Sequence, residues 1–200
     1  MNKNPNKLFL KINSLCPEVT NHDIFKDELT ITTKAKDLLK LFSKLKDFND
    51  LNFKMLLDIT AVDYPNRSKR FEVVYNLLSL EKLCRLRVKI FLNDADSVPS
   101  LTKIYHSAGW YEREVWDMYG ITFSENPDLR RLLTDYGFDG HPLRKDFPLT
   151  GFNEVRYSEK EKKVIYEPVK LEQDYRNFDF ESPWEGTKYI KDIKLKNKND

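Results

Sequence analysis

Hydrophobic and polar positions follow two different periods in the first two-thirds of this chain and almost none afterwards. Residues 8–15 read as a short helix closed by Pro17, and Leu29 and Ile31 alternate with threonines as a short strand. Leu38, Leu41, Phe42, Leu45 and Phe48 fall at helical spacing and give one apolar stripe. Three strand-like runs follow, at 53–64, 70–80 and 84–93. The turn-forming Pro65-Asn66-Arg67-Ser68-Lys69 between the first two suits a hairpin. In the third run Leu86, Val88, Ile90 and Leu92 point one way and Arg85, Arg87, Lys89 and Phe91 the other, a strand with one buried and one wet or partner-covered face. Pro99 opens a helical stretch to residue 106, Gly109 breaks it, and a second helix spans 110–119 before Gly120 ends it.

This order of elements predicts an α+β fold, a mostly antiparallel sheet with helices packed on one face. After Gly120, prolines at 127, 142, 148, 168 and 183 punctuate a segment that keeps its aromatics, among them Tyr157, Tyr166, Tyr175, Phe178, Phe180 and Trp184. Disordered tails are usually poor in aromatics, and rigid aromatic anchors dominate interface energetics, so the segment either wraps its own domain or, the preferred reading, docks on another protein. The expectation is a compact domain over 1–123, a charged Gly/Pro loop and extended docking arm over 124–187, and a Lys-rich, disordered tail over 188–200.

Composition narrows the function. The chain has 200 residues, with 34 basic against 32 acidic, a net charge of +2 that is too even to single out nucleic acid or an anionic membrane. Charged residues reach 33%, above the usual quarter, which fits a well-solvated surface or partners that read charge. Cys16 and Cys84 stand far apart and outside any C-x-x-C, so neither a disulfide framework nor a thiolate metal site is expected. No apolar run reaches the roughly 20 residues needed to cross a bilayer, and the first residues lack a secretory or transit pattern. The expected workplace is the compartment of synthesis. The lean towards Lys, Asn, Leu, Phe and Asp fits an AT-rich coding genome, such as an organelle's. Dinucleotide, P-loop, zinc-protease and nucleophile-elbow motifs are missing.

Two segments stand out. In the first, Trp110 to Gly120, Tyr111, Val115, Met118 and Tyr119 share an apolar face, and Arg113 and Asp117 sit four apart and can pair. Tryptophans seldom lie bare in water, so Trp110 and Trp116 argue against a merely solvated charged face. In the second, Arg130, Arg131, Arg144 and Lys145 interleave with Asp128, Asp135, Asp139 and Asp146. Such charges can crosslink a loop or dock on a charged partner. An enzymatic reading makes His141 a general base oriented by Asp139 or Asp146, but no nucleophile or oxyanion donor set accompanies it. A third reading uses the lysines of 188–198 to bind nucleic acid or a membrane surface.

Together the segments resemble the thirty-kilodalton subunit family of respiratory NADH:quinone oxidoreductase, complex I, also called NADH dehydrogenase subunit 9 or the C-type subunit. The resemblance rests on Glu112-Arg113-Glu114 followed by Asp117, and on Asp135-Tyr136-Gly137-Phe138 leading through Gly140-His141-Pro142-Leu143-Arg144-Lys145-Asp146 to Pro148. Glu154-Val155-Arg156-Tyr157 and Asn177-Phe178-Asp179-Phe180 also fit. Asn126 departs from it, standing where many members carry histidine. The resemblance implies a non-redox core subunit of the peripheral arm. It binds no cofactor itself, within a complex that uses NADH, FMN, iron–sulfur clusters and ubiquinone. It implies a hetero-oligomer, with the large, forty-nine-kilodalton-type quinone-site subunit as chief partner, no nucleic acid, and membrane association only through the complex. The implied location is the matrix side of the mitochondrial inner membrane, with the cytoplasmic face of a bacterial inner membrane as alternative. The equivalent subunit of a related bacterial oxidoreductase or membrane-bound hydrogenase is the alternative function. Glu112, Arg113, Glu114, Asp117, Arg130, Arg131, Asp135, Tyr136, Gly137, Gly140, His141, Pro142, Leu143, Arg144, Lys145, Asp146 and Pro148 are the expected interface and loop-fixing residues.

Overall fold

The computed structural model describes residues 4–171, 173 and 176. The expected anchors Tyr175, Phe178, Phe180 and Trp184 and the Lys-rich tail lie outside them. Two compact units divide the chain at Gly151/Phe152.

The first unit opens with helix α1 (Pro5–Leu15), capped by the Asn4 side chain on the Lys7 amide and started by Pro5, whose missing N–H costs nothing there. Then follow β1 (Val19–Phe25), β2 (Glu28–Thr33), a 3-10 turn (Ala35–Asp37), α2 (Leu38–Asp47), β3 (Met55–Asp63), β4 (Phe71–Ser79) and β5 (Cys84–Leu92). The five strands form one sheet in the order β1-β2-β5-β4-β3. Only β2 and β5 run parallel; the other pairs are antiparallel. One face carries Leu29, Ile31, Ile59, Ala61, Val73, Tyr75, Leu77 and all four apolar positions of β5, each almost wholly buried. The stripe of α2 packs into the same core, with Phe42 edge-on to Tyr75 at 5.1 Å. On the other face Lys89 bonds to Glu72 at 2.7 Å and Arg87 to Glu28 at 2.9 Å, so the wet side of β5 is a lattice of ion pairs.

Three expectations change. Strand β1 has no counterpart among the expected elements, because Val-Thr-Asn-His-Asp-Ile-Phe is polar and mostly exposed on a sheet edge. Residues 99–106 are not helical. Pro99 instead ends β6 (Ser97–Pro99), a short edge strand parallel to β7 (Thr122–Ser124), where a residue without an N–H is tolerated. The turns that follow are pinned by the buried Leu101 and by the Tyr105 hydroxyl, which donates to the Phe53 carbonyl at 2.6 Å. Gly109 does not break a helix. It lies in the first turn of α3 (Ala108–Tyr119), where amides have no helical acceptor to lose. Gly120 does end α3, at φ +80°.

The compact unit runs on to Gly151, past the boundary at residue 123 where periodicity fades, because hydrogen bonds rather than an apolar stripe fold the loop back. In the second unit the arm is not merely extended. β8 (Asn153–Ser158) and β9 (Lys163–Pro168) form an antiparallel hairpin, with Val155 opposite Tyr166 and Tyr157 opposite Val164. No helix among the described residues is long and apolar enough to cross a membrane.

Candidate functional site

Helix α3 buries charge. Glu112 and Asp117 are fully enclosed and Arg113 nearly so, while Trp110 is 62% exposed. Val115 and Met118 are buried as the pattern predicts, yet Arg113 and Asp117 do not pair with each other. Arg113 donates to the carbonyls of Arg130 and Arg131, and Asp117 pairs with Arg131 instead.

Asp117 is the centre of the arrangement. Its Oδ2 accepts the amides of Leu132, Leu133 and Thr134 at 2.9, 2.7 and 3.0 Å. Its Oδ1 accepts the Thr134 hydroxyl and, at 3.0 Å, Arg131 Nη1. Burial alone would raise its pKa, but the Thr134 hydroxyl and amide, the Leu132 amide and Arg131 outweigh it and hold the carboxyl far below its ordinary range. Arg131 also donates to the carbonyls of Phe138 and Gly140, with its guanidinium 5.2 Å from the Trp116 ring. His141 pairs through Nδ1 with the Asp117 carbonyl oxygen at 2.9 Å and lies edge-on to Trp116. A Cβ at Gly120 would sit 2.7 Å from the His141 ring, so glycine there serves both the left-handed turn and the close approach. The Leu143 amide closes onto the Met118 carbonyl at 3.0 Å.

A second set of charges ties the end of this loop to the sheet. Arg70 takes both oxygens of the buried Asp63 at 2.7 Å and reaches Asp146 at 2.9 Å. Arg144 bonds to Asp146 at 3.1 Å and to both oxygens of Asp94 at 2.7 and 2.9 Å. The Lys145 amide donates to Asp63 at 2.7 Å, and the Arg70 and Arg144 guanidinium groups each lie 5.2 Å from the Phe71 ring. These ties run to anchors that sequence reasoning missed: Asp63, Arg70, Phe71 and Asp94. A signal existed for Asp63, which shares the parity of the core residues Ile59 and Ala61.

The remaining expected residues are spread out. Arg130 bonds to Asp128 and interacts with Tyr136 at the surface, and Glu114, Asp135, Gly137 and the Lys145 side chain are exposed. Tyr136 is 78% exposed, and Leu133 and Leu149 are also open. Gly140, at φ +99°, lies against the Phe147 ring; Leu143 is exposed, Pro142 is half-buried, and Pro148 opens the turn closed by the Gly151 amide. Glu112 accepts the Ser100 hydroxyl, the Leu101 amide and the Asn126 side-chain amide, each at 2.7 Å. These donors are neutral, and burial raises its pKa. Asn126, the departure from the family pattern, is thus a structural donor here.

The charges set a pH dependence. Asp63 and Asp146 are held low by Arg70 first, Asp94 by Arg144, and Asp117 as above. Carboxyls with depressed folded pKa values stabilise above the unfolded value of about 3.9 and lose that contribution as pH falls below it. Glu112, raised, acts in the opposite sense, one group against four. In circular-dichroism melts of the full chain, the midpoint is expected to hold from about pH 7 to 5 and to drop steeply below about pH 4. A midpoint that rises in acid would contradict the assignment.

In this small α+β domain Asp117, Arg131, Arg144 and Asp146 hold one loop, which displays Leu133, Tyr136 and Leu149 at the surface. The chain belongs to the family described as "Respiratory-chain NADH dehydrogenase, 30 Kd subunit", whose pattern matches residues 31–153. It is 58% identical over 159 residues to the C-type subunit of NADH-quinone oxidoreductase from Paramagnetospirillum magneticum, covering 80% of each chain. It is 54% identical over 179 residues to the corresponding chain of Methylobacterium radiotolerans, covering 90% of this chain and 83% of that one. Two solved structures share the fold at 26% identity. A trypsin-resistant fragment of Nqo5 aligns with TM-score 0.54 over 62% of this chain and 98% of its own. A chain of the membrane-bound sulfane sulfur reductase, an archaeal respiratory membrane complex, aligns with TM-score 0.64 over 86% and 98%.

Proposed function

We propose that this chain is a structural subunit of the peripheral arm of NADH:quinone oxidoreductase, which fixes the geometry of the quinone-reducing module and carries no step of the chemistry itself. The observation that carries the assignment is the 58% identity, across 159 residues, to a bacterial subunit of that oxidoreductase. The geometry supports the role. The Asp117 carboxylate is saturated by its own loop, and His141 commits Nδ1 to the main chain, so both serve to hold the loop. NADH, FMN, iron–sulfur clusters and ubiquinone belong, in this reading, to neighbouring subunits. The chief partner is the large quinone-site subunit, met by the loop that displays Leu133, Tyr136 and Leu149.

The equivalent subunit of a related bacterial NADH:quinone oxidoreductase, or of a membrane-bound hydrogenase, is the alternative. The bacterial relatives, at 54–58% identity, support its first form, and the likeness to a chain of an archaeal respiratory membrane complex is consistent with the second. On location, the reading places the chain at the membrane only through its complex. The Lys- and Asn-rich composition supports the matrix side of a mitochondrion, while the bacterial relatives support the cytoplasmic face of an inner membrane.

Arg144→Ala tests the structural role. It cuts the tie between the loop and Asp94 and is expected to lower the amount of assembled complex while leaving turnover per assembled complex within about twofold, the range of a surface change of roughly 0.5 kcal/mol. Quantitative blotting of native gels against NADH-dependent quinone reduction reads both. Full assembly with turnover abolished would assign the loop to catalysis instead.

A further inference from the structure

Beside the start of α3, Trp110, Arg113, Asp128 and Arg130 line an open cleft of about 210 Å³, together with His106 and Pro127. That is below the roughly 300–1,000 Å³ of small-molecule sites and suits a side chain better than a cofactor. Its charges do not balance. The Arg113 side chain is only 8% exposed, and its Nε and Nη2 donate to main-chain carbonyls. The nearest carboxylate, Asp128, stands 3.9 Å from Nη1, beyond hydrogen-bond reach, and both its oxygens accept Arg130 Nε, at 2.8 and 3.1 Å. Two guanidinium groups therefore share one carboxylate, and among the described residues Nη1 of the buried one has no hydrogen-bond acceptor. Arg113 Nη1 faces the cleft with only this long ion pair to Asp128, so it has a donor to spare for a carboxylate that enters there. The Trp110 ring, 5.1 Å from the Arg113 guanidinium, is 62% exposed and walls the same cleft.

We propose that this cleft takes the carboxylate of an Asp or Glu side chain from a neighbouring subunit, its oxygens on Arg113 Nη1 and Arg130 and its stem against the Trp110 ring. The planar fork of arginine is suited to that geometry, and the aromatic wall excludes water from the pair. Bound there, the acidic side chain completes the pairing of Arg113 and covers a tryptophan that the chain by itself leaves in water. The inference rests on the subunit reading and names the partner chemistry at one point of the interface.

Trp110→p-benzoylphenylalanine, in the full chain assembled in its native complex, tests this by photocrosslinking and peptide mass spectrometry. The expected crosslink joins position 110 to another subunit at a segment with Asp or Glu within about one helical turn, roughly 4 residues. Arg130→Glu, at a surface position that leaves the melt of the chain unchanged, is expected to weaken retention in the complex about tenfold in a salt wash, and Arg130→Lys to restore most of it. A chain that runs with the complex yet crosslinks only to lipid, to a segment without a carboxylate, or to nothing overturns the proposal and leaves the subunit reading standing. A chain that never runs with the complex overturns both.

Discussion

Asp117→Asn is expected to destabilise the chain by about 3–5 kcal/mol, the usual cost of removing one partner from a buried ion pair. The substitution is nearly isosteric, so packing is not the cause. The carboxylate accepts on both oxygens, three backbone amides on one side and Arg131 with the Thr134 hydroxyl on the other. An asparagine must turn its NH2 towards one of those donor sets, which leaves donors facing donors in a buried place. Arg131 also loses its charge partner while it still holds the carbonyls of Phe138 and Gly140. The loss should therefore spread along the loop. Denaturant unfolding of the full chain gives the magnitude, and limited proteolysis at Leu133 and Tyr136 gives its location. Glu114→Gln, on the exposed side of the same helix, should change stability by no more than about 0.5 kcal/mol. If the two variants matched, Asp117 would not be the organiser of the loop.

Arg70→Ala should cost about as much, again some 3–5 kcal/mol. It leaves the Asp63 carboxylate, whose side chain has no solvent exposure, with the Lys145 amide as its remaining partner. Arg70→Lys would recover only part, because a single ammonium cannot reproduce the two parallel bonds at 2.7 Å. Arg144 shares Asp146 with Arg70, so the double variant Arg70→Ala/Arg144→Ala should differ from the sum of the singles by about 0.5–3 kcal/mol. Strict additivity in chemical denaturation would show that the two arginines do not act as one clamp.

How much of this the sequence displayed follows from where the stabilisation comes from. The alternation of Leu86, Val88, Ile90 and Leu92, the stripe of α2 and the hairpin turn at 65–69 were legible, because each is an apolar pattern at a fixed period or a turn with its own chemistry. Helix α3 was legible as a helix but not in its burial. Patterning assigns charge to solvent, and here a full set of hydrogen bonds lets Glu112 and Asp117 go inside. The 128–148 loop stands out as a charged motif, yet its anchors Asp63, Arg70 and Asp94 lie 50 to 82 residues away from the loop positions they hold, and no local period joins them. Strand β1 failed for the opposite reason, being a polar edge strand with little apolar signal to read. The hairpin of β8 and β9 did carry alternation in Val155, Tyr157, Val164 and Tyr166, hidden among charged neighbours.

Membership of an NADH-oxidising complex underlies every role assigned to this chain. Gentle detergent extraction of its native membranes, native size separation and blotting for this chain beside an in-gel NADH dehydrogenase stain test it most directly. The chain is expected to run with the large stained particle and not at its own mass. A chain found wholly at its own mass, away from all NADH dehydrogenase activity, would contradict it.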